Sequence, residues 1–257
     1  MTALEIPDYL IAFRSVALVI VVVAISLIVF FGILRANLTG AEKWRFAITI
    51  AVVGLSWMLL ATGLAVNGIF MAGAFGSVPA IGPAFLLPIL VFSVVLTRSK
   101  TAGAVLDAIP LDWLIRIQFV RVLGGIFVVL YIDGLIPGEF ALPAGLGDMA
   151  TGLLALLVAY LVAHGSVWAR SSAYAWNIFG MLDLVIAGAL GFLTTPGRFQ
   201  QLAFEDPNRL ITQYPLVMIP VFAVPLMFTL HILCLRKLAR TSSRDARSQS
   251  SSELGAT

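Results

Sequence analysis

Seven apolar runs of spanning or near-spanning length constrain this chain more than any other feature in it. They cover about Ile11 to Leu34, Phe46 to Phe70, Pro83 to Thr97, Leu111 to Tyr131, Pro143 to His164, Tyr174 to Leu193 and Pro215 to Leu235. A hydrocarbon core about 30 Å thick is crossed by roughly 20 apolar residues in a helix. In lipid the backbone donors and acceptors must be paired internally, which leaves helices or a closed barrel. Continuous rather than alternating apolar character selects helices. The expected fold is therefore all-α, a polytopic transmembrane helical bundle of seven helices. It forms one domain over residues 1–240, with a serine-rich polar tail, 241–257, expected to be disordered. A chain with 60% hydrophobic and 11% charged residues lacks the polar surface that a soluble fold of this size needs.

Lysine and arginine accumulate on the cytoplasmic side of membrane proteins. Arg35, Lys43 and Arg45 follow the first run, and Arg98, Lys100 and Arg116 surround the link between the third and fourth. Arg170 lies between the fifth and sixth, and Arg236, Lys237, Arg240, Arg244 and Arg247 follow the seventh. With seven spans these 12 of the 16 basic residues share one side. The opposite links carry Asp133, Glu139, Glu205 and Asp206 against Arg198 and Arg209. The N-terminus is accordingly expected outside and the C-terminus in the cytoplasm. Because the basic residues sit in short runs at helix ends, they read as topology signals and not as a nucleic-acid surface. No lysine or arginine precedes Arg14, whereas Glu5 and Asp8 do, so the first run reads as a retained helix and not as a cleaved signal peptide.

Two connections carry a pattern of their own. Residues 71–82 are rich in Gly, Ala and Pro without charge, and read as an external loop or as a segment dipping into the membrane beside the third helix. Between Thr195 and Tyr214, Phe199, Leu202, Phe204 and Leu210 alternate with Arg198, Glu205, Asp206 and Arg209, a pattern suited to an amphipathic lid or interfacial helix.

Charged groups inside apolar spans are costly and normally face a partner or a wet cavity. Arg121 and Asp183 each lie nine or ten residues from the basic end of their spans, at a depth of about 15 Å, so they pair if the fourth and sixth helices touch. Asp148 lies five residues into the fifth run from the other side, roughly 10 Å out of register with Arg121. Direct pairing there is not expected, and water, a ligand or a proton would bridge the gap; alternatively the acid reaches external water from the first turn of its helix. Gln118 and Arg121 share a helix face, and Trp176, Asn177 and Asp183 cluster on the sixth helix, where Trp176 also reads as an interfacial anchor. Gly145, Asp148 and Gly152, like Gly180, Asp183, Ala187 and Gly191, put small residues on the face of each acid, a spacing that lets neighbouring backbones approach. Gln118, Arg121, Asp148, Trp176, Asn177 and Asp183 are the candidate substrate-binding or proton-pathway residues. The competing reading is a buried ion pair that only fixes helix packing.

Machinery for soluble-type catalysis is missing. The single cysteine, Cys234, excludes an internal disulfide, and no H-E-x-x-H, nucleotide-binding glycine loop or G-x-S-x-G occurs. Lys43, Lys100 and Lys237 lie in loops or at helix ends, where none can form a buried Schiff base with retinal. His164 and His231, the two histidines, both read as lying near the basic face, where a facing pair would ligate haem. No catalytic residue, metal or cofactor is assigned.

The runs Gln118 to Arg121, F-A-L-P-A-G-L-G-D from Phe140, W-N-I-F-G-M-L-D-L from Trp176 and P-V-F-A-V-P-L from Pro220 resemble those of an uncharacterised family of bacterial inner-membrane proteins with about seven spans. The resemblance implies a multi-pass protein of the bacterial cytoplasmic membrane and carries over no functional residue. The leading functional expectation is a small proton-coupled transporter or solute-binding protein, whose partners are the lipid bilayer, a small solute or proton, and other membrane proteins, with no nucleic acid. The alternatives are an accessory or structural subunit of a larger membrane complex, and a membrane redox protein binding haem or quinone.

Overall fold

In a computed structural model the chain is described over residues 6–71, 74 and 80–254, with side chains as far as residue 240. Most of the segment 71–82 therefore falls outside the described residues, whereas the tail expected to be disordered is described by its backbone alone and continues as helix to Leu254. Seven helices long and apolar enough to cross a membrane are present: Asp8–Arg35, Gly40–Val66, Ile81–Arg98, Leu111–Ile132, Gly138–Ala163, Ala169–Thr194 and Ile219–Arg240. The protein is an all-α polytopic transmembrane bundle.

The helices α1 (Asp8–Arg35), α2 (Gly40–Val66) and α3 (Ile81–Arg98) form the first part of the bundle. Helix α2 starts earlier than its apolar run because Thr39 and Glu42 make a reciprocal cap. The Glu42 N–H donates to Thr39 Oγ1 at 3.3 Å and the Thr39 N–H to the Glu42 carboxylate at 2.8 Å. These three spans bury little of themselves against the rest of the chain. Their exposed faces, with Val19, Leu27, Leu59 and Leu90 among them, are the kind of surface that lipid covers.

A short helix, α4 (Lys100–Ala108), occupies the link where only charge was read from the sequence. Ser99 caps its start by accepting from the Ala102 N–H at 3.1 Å, and Val105 and Leu106 turn inward onto Ile33 and Ile109. Its far end is closed by a basic side chain from the seventh span. Lys237 Nζ donates to the carbonyls of Leu106 at 2.8 Å, Asp107 at 3.1 Å, and Ile109. A cation is well placed against the unpaired carbonyls of a helix C-terminus. Arg240 pairs with Asp107 at 3.2 Å and Arg236 donates to the Leu96 carbonyl at 2.8 Å. The basic end of the bundle is thus also its clasp.

The fourth span is not one regular helix. It consists of α5 (Leu111–Arg116), a nine-residue 3-10 helix (Ile117–Gly125) and α6 (Ile126–Ile132). Runs of 3-10 helix longer than three or four residues are uncommon, and in mid-helix they often mark a hinge or a functional constraint. The fifth and sixth spans are α7 (Gly138–Ala163) and α8 (Ala169–Thr194), which pack on each other, while α7 also lies along the 3-10 helix. The seventh begins with one wide turn of π-helix (Ile219–Ala223), holding Pro220, before α9 (Val224–Leu254).

The link Thr195 to Tyr214 does not form an amphipathic helix. Pro196, Gly197 and Pro207 break it into bends, and only Leu210–Thr212 makes a turn of 3-10 helix. Its apolar side chains do not share a face: Leu210 and Ile211 enter the core beside Leu130 and Phe140, whereas Phe199 and Phe204 stay exposed. At this end α1 is tied down by Tyr9, whose hydroxyl donates to Asp133 at 2.6 Å.

Candidate functional site

At the centre of the second half of the bundle lies Arg121, its side chain 2% exposed and every guanidinium nitrogen engaged. Nε donates to Asp148 Oδ1 at 2.7 Å, and Nη2 donates to Asp183 Oδ2. Nη1 donates to the Gly180 carbonyl at 3.0 Å and reaches His231 Nε2 at 3.2 Å. The 3-10 helix, α7, α8 and α9 each supply one part.

The histidine's tautomer follows from its neighbours. A guanidinium has no acceptor, so His231 Nε2 accepts, and the ring proton sits on Nδ1. Nδ1 then donates to Asn177 Oδ1 at 3.0 Å, and Asn177 Nδ2 donates to the Ala173 carbonyl at 2.7 Å and to Cys234 Sγ at 3.3 Å. Trp176 closes this side, its ring 4.9 Å from the imidazole and its Nε1 donating to the Thr151 carbonyl at 2.9 Å. Replacing His231 with alanine removes the acceptor for one Arg121 N–H and the donor for Asn177. We expect a loss of roughly 1–3 kcal/mol in thermal unfolding of the purified protein; an unchanged melting point would show that the imidazole is not holding this network.

Asp148 is a correction to the sequence reading, which expected it out of reach of Arg121. Helix α7 begins at Gly138 and not at Pro143, so Asp148 lies ten residues in, about 15 Å deep. On the other side, four steps of 3-10 helix at about 2.0 Å each carry Arg121 roughly 17 Å from Leu111. The two shifts close the gap. Trp176, read also as an interfacial anchor, is buried instead, because α8 begins five residues before Tyr174 and places the indole about 10 Å deep. His231 is the residue that sequence reasoning missed. It was placed near the basic face, whereas the seventh span continues to Arg240 and leaves it fully buried beside Arg121. The available signal was a histidine seven residues along the helix from Val224, itself in a run of apolar neighbours. Gln118, three residues before Arg121, makes its hydrogen bond with the Met227 carbonyl at 3.1 Å and not with the charged groups.

Small residues allow this convergence. A Cβ on Gly147 would overlap the Asp183 carboxylate, and one on Gly180 would come within 2.6 Å of His231 Nε2. Two cavities meet at Asp148. One, of about 110 Å³, lies between α1 and α9 and exposes Arg14 and Arg121 as well as Asp148. The other, of about 540 Å³, lies between α3 and α8, and Asp148 is the one charged side chain among the described residues that line it. Asp148 Oδ1 is taken by Arg121, whereas Oδ2 accepts no hydrogen bond among the described residues.

The two histidines lie in different surroundings. His164 ends α7 on the exposed surface, its Nδ1 2.9 Å from the Tyr160 carbonyl, and both nitrogens of His231 are engaged within the protein. Among the described residues no group of three or more metal-ligating side chains converges on one point.

A family model described as a domain of unknown function (DUF8737) matches residues 100–239, more than half of the chain. Gln118, Arg121, Asp148, Trp176, Asn177, Asp183 and His231 all lie within the matched region, and α1 to α3 lie outside it. No curated protein and no solved structure matches the chain.

Proposed function

We propose that this chain, which belongs to the DUF8737 family, is a solute-binding membrane protein of the bacterial inner membrane, a small transporter in which proton and solute compete for Asp148. The observation that carries this reading is the position of Asp148 between two cavities with one carboxylate oxygen left without a hydrogen bond. One guanidinium faces two carboxylates, so the cluster has an excess negative charge when both are ionised. An ionised group at this depth is costly unless it is compensated. A proton or a bound solute on Asp148 supplies that compensation. Arg121 can release Asp148 and still hold Asp183, the Gly180 carbonyl and His231, so the exchange does not strand a buried cation. Arg14, the other guanidinium on the smaller cavity, lies on α1 with its group 5.2 Å from the Tyr214 ring and its Nε without a hydrogen-bond partner. Both cavities occupy the half of the bundle away from the basic end, which with an external N-terminus is the outer half.

The test is thermal unfolding of the purified protein at several pH values against a panel of cationic, anionic and neutral solutes. A ligand at about one hundred times its dissociation constant stabilises by about 2.7 kcal/mol, a shift of roughly 5–10 °C for a chain of this size. The expected result is such a shift for one solute class, dependent on pH and abolished by Asp148→Asn. If Asp148→Asn and Asp183→Asn leave every solute- and pH-dependent shift unchanged, the reading fails. Recovery of the protein in a fixed-stoichiometry complex under that outcome would favour an accessory subunit.

A further inference from the structure

We infer that the larger cavity takes a lipophilic monovalent cation, held by Asp148 at its base and by phenyl rings on its walls; the inference rests on the solute-binding reading and names the solute class. Phe85 from α3, Phe127 from α6, Phe140 from the start of α7 and Phe192 from the end of α8 line this space of about 540 Å³, with Asp148 as the one charge among the described residues. Phe127 and Phe140 stand edge to face, their centroids 5.0 Å apart. Aromatic faces attract a cation through the ring quadrupole, most strongly where water is excluded. An anion in the same space would meet only Asp148, which repels it. A neutral molecule would leave the excess negative charge of the Asp148, Arg121 and Asp183 cluster in place.

The two cavities differ in what they accept. The smaller presents Arg14 and Arg121 beside Asp148 and so disfavours a cation, whereas the larger presents the acid without either guanidinium. A further cleft of about 470 Å³ at the same end of the bundle is lined by Glu139, Glu205 and Asp206, with Tyr131 at its side. An acidic surface at this end raises the local concentration of cations there. The cation replaces Arg121 as the partner of Asp148 without any covalent change.

Equilibrium dialysis of the purified protein in detergent, against protein-free micelles, separates the cases with tetraphenylphosphonium and tetraphenylborate, ions of nearly the same shape and opposite charge. Saturable retention of the phosphonium with no saturable retention of the borate is expected. Asp148→Asn should weaken phosphonium binding at least tenfold, Asp148→Glu should keep part of it, and Phe85→Ala, outside the charged network, should weaken it several-fold. Equal retention of the two ions, or phosphonium binding unaffected by both Asp148→Asn and Phe85→Ala, would overturn the inference. If the phosphonium is not retained while an anionic or neutral solute stabilises the protein in an Asp148-dependent way, the cation assignment fails and the solute-binding reading stands. If no solute depends on Asp148, both fail.

Discussion

Arg121→Ala is expected to be among the most destabilising single changes in this protein, at roughly 3–5 kcal/mol, because it removes the partner shared by two buried carboxylates. Asp148 and Asp183 would then face each other without the guanidinium that pairs with both, while the Gly180 carbonyl and His231 Nε2 would each lose a donor. In thermal unfolding this corresponds to a fall of about 10 °C or more. Lysine should not restore stability: one ammonium cannot reproduce the fork that reaches α7, α8 and α9 at once. The cost should instead be largely recovered when Arg121→Met is combined with Asp148→Asn and Asp183→Asn, since apolar or neutral replacement of a whole buried ionic group is often tolerated where removal of one member is not. A triple variant as unstable as Arg121→Ala would show that shape, and not charge, is what Arg121 supplies.

Gly152→Ala should come next in size, at about 3 kcal/mol, although it adds a single methyl group. The new Cβ would lie 2.8 Å from the backbone nitrogen of Val122 and 3.2 Å from the Phe119 carbonyl oxygen. Both contacts are backbone, so no side-chain rotation relieves them, and α7 must move off the 3-10 helix. Because Asp148 is one turn earlier on α7, that movement also separates it from Arg121. Melting should fall, and solute-dependent stabilisation should fall with it. Gly54→Ala in α2, where a Cβ meets nothing within 4 Å, is the matched control and should be near neutral. Similar melting points for the two variants would refute the close approach of α7 to the fourth span.

Much of the frame can be read without coordinates. Apolar runs of spanning length locate all seven crossing helices, and Arg121 and Asp183 emerge at matching depth from counting residues at the α-helical rise. Glycines spaced around the two acids mark the faces that pack closely, and Gly145, Gly152 and Gly180 all do so. The count fails where the rise changes. Nothing in I-Q-F-V-R-V-L-G-G marks nine residues of 3-10 helix, and Pro143 looks like the start of a helix that in fact begins at Gly138. Each error moved one partner of the Arg121–Asp148 pair the wrong way along the membrane normal. Local pattern also hid His231, because its role depends on α9 lying against α8 and the 3-10 helix.

What the sequence determined by itself is the solvent in which this chain folds and the number of helices that cross it, since both follow from transfer free energies that act residue by residue. What only the tertiary structure decided is which buried polar groups meet. That depends on the pitch and origin of each helix, and on how closely glycines let backbones approach. A shift of a few ångströms there separates an isolated carboxylate from one held by a guanidinium at 2.7 Å.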